Sequence, residues 1–455
     1  MSVQSPVAAA PQVELPFRVA PYDRRRPFVR LRPGWPLTAL LVGYPLWWAL
    51  GVAQFSYVIL AVPMVLHLLR RRPIRVPRGF GIWVLFLGWV IAGGLLLGID
   101  APGTLPGSGG LVSWTTRVVS YSSLTVLFLY AGNLREDELP RGRIVRQLAL
   151  LFCVAIVGGL ASLAWPHFEF TSPFELLLPH SIRSNQYVQS LVHPALAQVQ
   201  DVLGYASPRP KAPFEYTNSW GNNVAILSLW FVAAHWRRHR WLTLAGLCVA
   251  AVPIVYSLNR GMWIGLCLAV GYVAFRLALR GRLALLGGIV VGAVLAGGIL
   301  VASPLGTVFQ GRLDNGRSDQ IRANLSDQAV SEALTSPFVG YGNTRTALGS
   351  PESIAIGATK DCPQCGNRVI GSNGQLWQLF IANGFLGAAI YISFFGSFIW
   401  RYRHDVSPIG LAGTAGLVLT LFFGLFYSAL QSAAIFYLLC AALLWRNDIE
   451  RRRPA

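Results

Sequence analysis

The chain has 455 residues, of which 54% are hydrophobic and only 13% charged. A soluble domain ordinarily carries about twice that charged fraction, which argues against a water-soluble globular enzyme. The net charge of +19 does not point to nucleic acid, because the basic residues are nearly all arginines set in short clusters between apolar runs. That is the pattern of cytoplasmic loops facing anionic lipid.

Residues 1–34 are proline-rich, end in the basic run Arg24 to Arg32 and contain no cleavable apolar stretch. They read as a disordered cytoplasmic tail without a signal peptide. Residues 35–445 form one polytopic membrane domain, and 446–455 a second basic cytoplasmic tail. Apolar runs of a length that crosses a bilayer as a helix recur at about 35–53, 54–69, 81–99, 112–131, 144–164, 217–235, 241–257, 261–279, 283–303, 373–400, 408–427 and 430–445. The fold class is therefore an all-α integral membrane protein with about 12 transmembrane helices. Placing the N-terminus inside puts 27 of the 38 basic residues in the tails, in the even-numbered loops or, for Arg146 and Arg276, in the span ends that border them. This asymmetry predicts a multi-pass protein of the cell membrane with both termini cytoplasmic.

Two outer loops are long, about 165–216 and 304–372, and long loops are usually functional or disordered. Their aromatic and aliphatic content favours order. Ile321, Leu325, Ala329 and Leu334 stand near helical spacing, so the second loop is expected to be partly helical. In the ninth span, Gly288, Gly292 and Ala296 recur every four residues, which allows close helix packing and says nothing about chemistry.

The outer basic residues are the informative ones, since the positive-inside rule gives no reason for them. Arg260 sits in the turn Ser257-Leu258-Asn259-Arg260-Gly261 between two spans. Arg117 lies inside the fourth span, where a charge is costly and usually faces a cavity or a partner. Both, with the loop arginines, suit an anionic headgroup, because the guanidinium fork donates paired hydrogen bonds to phosphate. The bland alternatives are snorkelling to lipid phosphates or, for Arg117, a pair with Asp100. Cys362 and Cys365 form a CxxC that reads as a local disulfide on the outer face. A zinc site would need two more ligands, and that loop has no histidine. Cys153, Cys248, Cys267 and Cys440 read as small apolar residues within spans. The acidic run Glu136-Asp137-Glu138 lies among cytoplasmic arginines and reads as a solvated loop. No phosphate-binding loop or dinucleotide fingerprint occurs. Candidate outer bases are His167, His180, His193, Glu215, Asp319 and Asp361. Glu215 stands out because it follows Arg209-Pro210-Lys211 directly before a span.

Four stretches together resemble the O-antigen ligase and O-antigen polymerase superfamily of polytopic membrane glycosyltransferases. Tyr256 to Trp263 is similar to that family's Ser-Arg-Gly turn entering a span. Arg209 to Asn218 resembles its Arg, Gly-Phe, Pro-Asn element, with Lys211 where glycine is common. Gly316-Arg317 through Pro337-Phe338-Val339-Gly340-Tyr341-Gly342 resembles its loop motif of an arginine, a short helix and Pro-x-x-Gly-x-Gly. Ser372-Asn373-Gly374 to Gly387 resembles its His-Asn element, with Ser372 where histidine is frequent. The resemblance spans residues 205 to 390.

It implies a GT-C-like membrane glycosyltransferase architecture. The implied activity is transfer of an oligosaccharide or polysaccharide from a polyprenyl-diphosphate carrier to an acceptor hydroxyl outside the membrane. It implies Arg260 and Arg317 as diphosphate ligands and Glu215 and Ser372 as further catalytic residues. Arg209, Lys211, Arg117, Arg322, Asn218, Tyr341 and Asn373 are implied as substrate-binding. The chemistry requires no metal or other cofactor and inverts the anomeric centre. The partners are the lipid-linked glycan donor, a glycan, lipid or wall-polymer acceptor, and membrane lipids, with no nucleic acid. Two other classes remain: a transporter or flippase of lipid-linked sugars, and a non-catalytic assembly protein.

Overall fold

A computed structural model describes residues 32–71, 73–201, 205–281, 304–314, 317–347, 369–430 and 432–452, with a few positions between 284 and 298. The described chain is mainly helical. The first apolar run is not one helix. It divides into α1 (Trp35–Val42), α2 (Tyr44–Ala49) and a 3-10 turn (Ala53–Phe55) before α3 (Ser56–Arg70). Gly43 and Pro45 separate the first two pieces, and Gly51 reverses the chain at φ 78°, a conformation that suits glycine. There follow α4 (Phe80–Ala92, continued as a 3-10 turn to Leu96), α5 (Leu111–Asn133) and α6 (Arg141–Ala164).

The first long loop holds three short helices, α7 (Pro173–Leu177), α8 (His180–Arg183) and α9 (Gln186–Val192). It also holds an antiparallel ribbon that the periodicity did not announce, β1 (Ala197–Asp201) and β2 (Ala206–Pro210), in register Ala197 to Pro210. Next come α10 (Thr217–His235), α11 (Arg240–Tyr256), α12 (Arg260–Ala278) and α13 (Pro304–Asp314). The helix expected near 318–334 is α14 (Arg317–Thr335), and the chain closes with α15 (Gln375–Tyr402), α16 (Pro408–Phe423) and α17 (Ala433–Arg452). The ninth expected span, 283–303, with its small-residue stripe, and the pair Cys362 and Cys365 lie wholly or mainly outside the described residues.

Among the described residues, four helices are long and apolar enough to cross a membrane: Ala53–Arg70, Arg141–Ala164, Arg260–Ala278 and Gln375–Tyr402. Phe80–Leu96, Arg240–Tyr256 and Pro408–Phe423 are shorter apolar helices. The interior helices read differently because of where they sit. Every residue of α17 from Ala433 to Asn447 is buried, packed against α16, α5, α10, α15 and α6. A helix that meets only protein can carry polar groups, whereas one facing hydrocarbon cannot. The outward faces are apolar, with Val62, Leu66 and Leu69 on α3 and Ile264, Val270 and Phe275 on α12 all exposed.

An aromatic cluster joins α4, α5 and α15. Trp83 packs on Phe394 at 4.8 Å and Phe86 on Tyr121 at 5.0 Å between ring centroids. Helix α15 is broken at Gly384, whose φ of 66° is left-handed. Residues 337–342 fill the break: Tyr341 N–H donates to Ile381 O (2.8 Å), Gly342 N–H to Ala382 O (2.9 Å) and Phe385 N–H to Pro337 O (2.7 Å). Gly340 is also left-handed, and a Cβ there would stand 2.5 Å from Ile381 O. A side chain at Gly384 would stand 2.6 Å from the Phe338 carbonyl. The Pro-x-x-Gly-x-Gly spacing is thus a backbone splint for a discontinuous helix.

Candidate functional site

The arginines that lie outside the basic clusters between apolar runs include two groups. Arg117 and Arg345 belong to the splint. Arg117, 4% exposed within α5, donates to Asn383 Oδ1 (2.9 Å), Gly342 O (3.4 Å) and Asn343 Oδ1 (3.4 Å). Arg345 is fully buried and donates to the carbonyls of Tyr341 (2.9 Å), Asn343 (3.1 Å) and Ile99 (2.9 Å). It is Arg345, and not Arg117, that has Asp100 as an electrostatic neighbour.

The second group surrounds the turn into α12. Arg209, at the end of β2, donates Nε to Ser257 O (2.7 Å) and Nη1 to Gln200 Oε1 (2.6 Å). Arg312, on α13, donates Nε to Leu258 O (3.0 Å). Two arginines therefore hold consecutive carbonyls of one turn. Leu258 itself lies in the left-handed region at φ 53°, a strain of about 1–2 kcal/mol for a residue with a β-carbon. Such strain persists only where the surroundings over-determine it, and it concentrates at functional sites. Asn259 then caps α12, its Oδ1 accepting from Met262 N–H (3.1 Å) and from the Tyr427 hydroxyl. Gly261 permits that approach, since a Cβ there would stand 2.3 Å from the Tyr427 oxygen. Arg260 is half-buried in the first turn of α12.

Arg322, on α14, completes the cluster as an electrostatic neighbour of both Arg209 and Tyr427. Burial, with Arg312 alongside, pushes the Arg209 pKa down to about 10. Like charges gathered in a low dielectric raise each other's energy, so this arrangement favours an anion between them. Asn373 ties α14 to the start of α15, donating Nδ2 to Ser326 Oγ (2.8 Å) and Arg322 O (3.3 Å). Its Oδ1 has no partner among the described residues. Arg317 is the first residue of α14, and its side chain is outside the described residues. Tyr341 is buried against the splint with its hydroxyl on Thr335 Oγ1 (2.5 Å). Ser372 is exposed in a turn where its N–H donates to Val369 O (3.2 Å).

Glu215 and Lys211 lie on the other side of the same loop. Glu215 is buried directly before α10, and its Oε1 accepts from Ser432 N–H (3.1 Å) and both carboxylate oxygens face Ser432 Oγ (3.1 Å). Burial raises its pKa above the ordinary carboxylate range, against the opposing hydrogen bonds. Lys211, also buried, lines a small polar cleft with Glu215, Gln54 and His193. Burial lowers its pKa, and Glu215 partly restores it. Along α10, Asn218 is half-buried, and Asn222 and Asn223 are buried and donate to the Tyr437 hydroxyl and Ser432 Oγ, each at 2.6 Å. Thr217 Oγ1, Asn222 Oδ1, Asn223 Oδ1 and Asn259 Nδ2 have no partner among the described residues. Together these groups form a polar interior in an otherwise apolar bundle. No group of three or more His, Cys, Asp or Glu able to hold a metal occurs among the described residues.

The structure thus gathers Arg209, Arg322 and Arg260 around one turn, sets Glu215 and Lys211 together in a separate cleft, and places Arg117 and Tyr341 on the splint. Sequence reasoning did not single out Arg312, Tyr427 or Ser432. Arg312 had a signal, being one of the arginines that the expected loop charge does not explain. Tyr427 and Ser432 had none, because aromatic and hydroxyl residues between two apolar helices are commonplace. Comparisons with family models, curated proteins and solved structures gave no match to this chain.

Proposed function

We propose that this protein is a membrane glycosyltransferase that moves a glycan from a polyprenyl-diphosphate carrier to an acceptor hydroxyl. The observation that carries this reading is the strained Ser257–Asn259 turn clamped by Arg209 and Arg312, with Arg322 completing a like-charged cluster. The reading includes about twelve spans, both termini in the cytoplasm and the cluster at the outer surface, where a lipid diphosphate headgroup lies. Cleavage of the sugar–phosphate bond develops negative charge on the departing diphosphate. Preorganised guanidiniums in a water-poor chamber stabilise that charge at the moment it forms. The anomeric carbon becomes oxocarbenium-like, and the acceptor hydroxyl attacks from the opposite face, with inversion. Glu215, held by Ser432 and with a raised pKa, is the group suited to take the acceptor's proton. Such a base is worth about 10²–10⁴-fold.

The test supplies purified protein in nanodiscs with a lipid-diphosphate oligosaccharide and an acceptor glycan, and measures polyprenyl diphosphate. Acceptor-dependent release that disappears in Arg209→Ala supports transfer. Absence of release from several donors, with folded protein, removes it. A flippase is the second reading, favoured by the break in α15 at Gly384, since discontinuous helices serve transport. It would move labelled lipid across the bilayer without freeing the carrier diphosphate.

A further inference from the structure

A separate cavity lies at the ends of α3, α5 and α17 that carry Arg71, Asn133 and Arg446, away from the turn into α12. Its volume is about 230 Å³, and its lining includes Arg71, Arg75, Asn133, Arg135, Arg446 and Glu450. At about 30 Å³ per water, this is room for several. Part of the lining is explained by helix ends. Arg71 donates to Asn133 O at the last turn of α5 and to Glu138. The Asn133 side chain pins the backbone of Arg75, accepting from its N–H (2.9 Å) and donating to its carbonyl (2.9 Å).

Arg446 is not explained that way. Its side chain is only 2% exposed. One terminal nitrogen, Nη2, does all the bonding, to Arg135 O (3.0 Å), Glu136 Oε1 (2.9 Å) and Leu139 O. Nε and Nη1 are buried without a partner among the described residues. A charged donor buried without an acceptor is expensive, and the Arg446 charge adds to a lining in which four arginines face the single carboxylate of Glu450. In the lining itself the guanidiniums of Arg71, Arg75, Arg135 and Arg446 outnumber the carboxylate of Glu450, while Glu136 and Glu138 nearby pair with Arg71, Arg135, Arg141 and Arg446. Cations are therefore disfavoured. A compact anion with several acceptor oxygens fits, and arginine forks match phosphoryl oxygens.

We infer that this cavity binds a phosphoryl group, independently of the glycosyl-transfer site. Two sources carry that chemistry: free phosphate or a soluble phosphate ester, and the headgroup of an anionic phospholipid, which juxtamembrane arginines attract. The full-length protein is tested by thermal unfolding in two arms at matched ionic strength. The first arm uses nanodiscs of phosphatidylcholine with inorganic phosphate against chloride. The second uses nanodiscs containing phosphatidylglycerol without phosphate.

A Tm rise of about 2 °C or more in either arm is expected, and the arm in which it occurs names the source. Arg75→Gln with Arg135→Gln, both solvent-reaching and outside the bundle core, should at least halve it. These residues avoid the folding risk of Arg446, which holds three carbonyl or carboxylate oxygens in place. No rise in either arm, or a rise that the double variant leaves intact, overturns the inference.

Discussion

The arginines at the break in α15 and those at the turn into α12 use the same side chain to opposite ends. Around the break in α15, Arg117 and Arg345 give their hydrogen bonds to carbonyl and amide oxygens a few ångströms away. Around the turn into α12, Arg312 and Arg322 both lie close enough to Arg209 to disfavour its charge. In the first region the guanidiniums brace the splint, whose own N–H groups replace hydrogen bonds that the broken helix loses. In the second, Arg209 and Arg312 hold the carbonyls of Ser257 and Leu258 and Arg322 stands near Arg209, so three positive groups are gathered at one turn. Burial alone does not distinguish them, since Arg117 and Arg209 are both buried. Partner chemistry does.

The largest expected effect tests the splint. Gly384→Ala places a β-carbon against the Phe338 carbonyl at a left-handed position. It should cost more than about 4 kcal/mol, the range of backbone strain combined with overpacking. Little monodisperse protein should survive size-exclusion chromatography after detergent extraction, and a Tm equal to wild type would refute the splint. Next in size, Arg322→Ala should slow carrier diphosphate release by about 10²–10³-fold, the scale for loss of one preorganised donor. Its Tm should be unchanged or higher, because a like charge has been removed. A lower Tm with unchanged turnover would place Arg322 with the splint instead.

Arg117→Ala should do the reverse. It leaves Asn383 Oδ1 and Gly342 O without their donor, at about 1–3 kcal/mol, visible as a lowered Tm. Glu215 predicts a pH dependence. Its folded pKa is raised, so the protonated form is favoured on folding. That contribution to stability is fully present below the unfolded pKa and is lost as pH rises through the folded value. If the carboxylate is the base, the acidic limb of the rate profile stands above the ordinary carboxylate range. Glu215→Gln should lower the rate and flatten that limb, and a limb that persists would assign it to another group. The smallest effect belongs to Ser372→Ala, where an exposed turn residue is replaced and turnover should change less than about twofold.

The sequence announced most of the helices, because an apolar run of about twenty residues has few other uses. It erred at residues 35–53, where Gly43, Pro45 and Gly51 divide one run into separate pieces. It did not anticipate the ribbon of β1 and β2, whose residues Ala206-Ser207-Pro208-Arg209-Pro210 lack strand alternation. The site was legible wherever a charge contradicted its surroundings, as at Arg209, Arg260 and Glu215. The same rule drew in Arg117, whose role differs, because a sequence shows that a buried arginine needs a partner but not whether the partner is protein. Tyr427 and the left-handed Leu258 left no trace in composition or spacing.

Burial of α17 on all sides has a consequence for biogenesis. This helix is synthesised after α5, α10 and α16, the helices against which it packs. Until it is inserted, α5, α10 and α16 lack the surface against which they pack. During synthesis those helices depend on lipid, the translocation machinery or chaperones to cover faces meant for protein. Chains interrupted before Ala433 would expose those faces permanently, and membrane proteases that survey unassembled helices should clear them quickly.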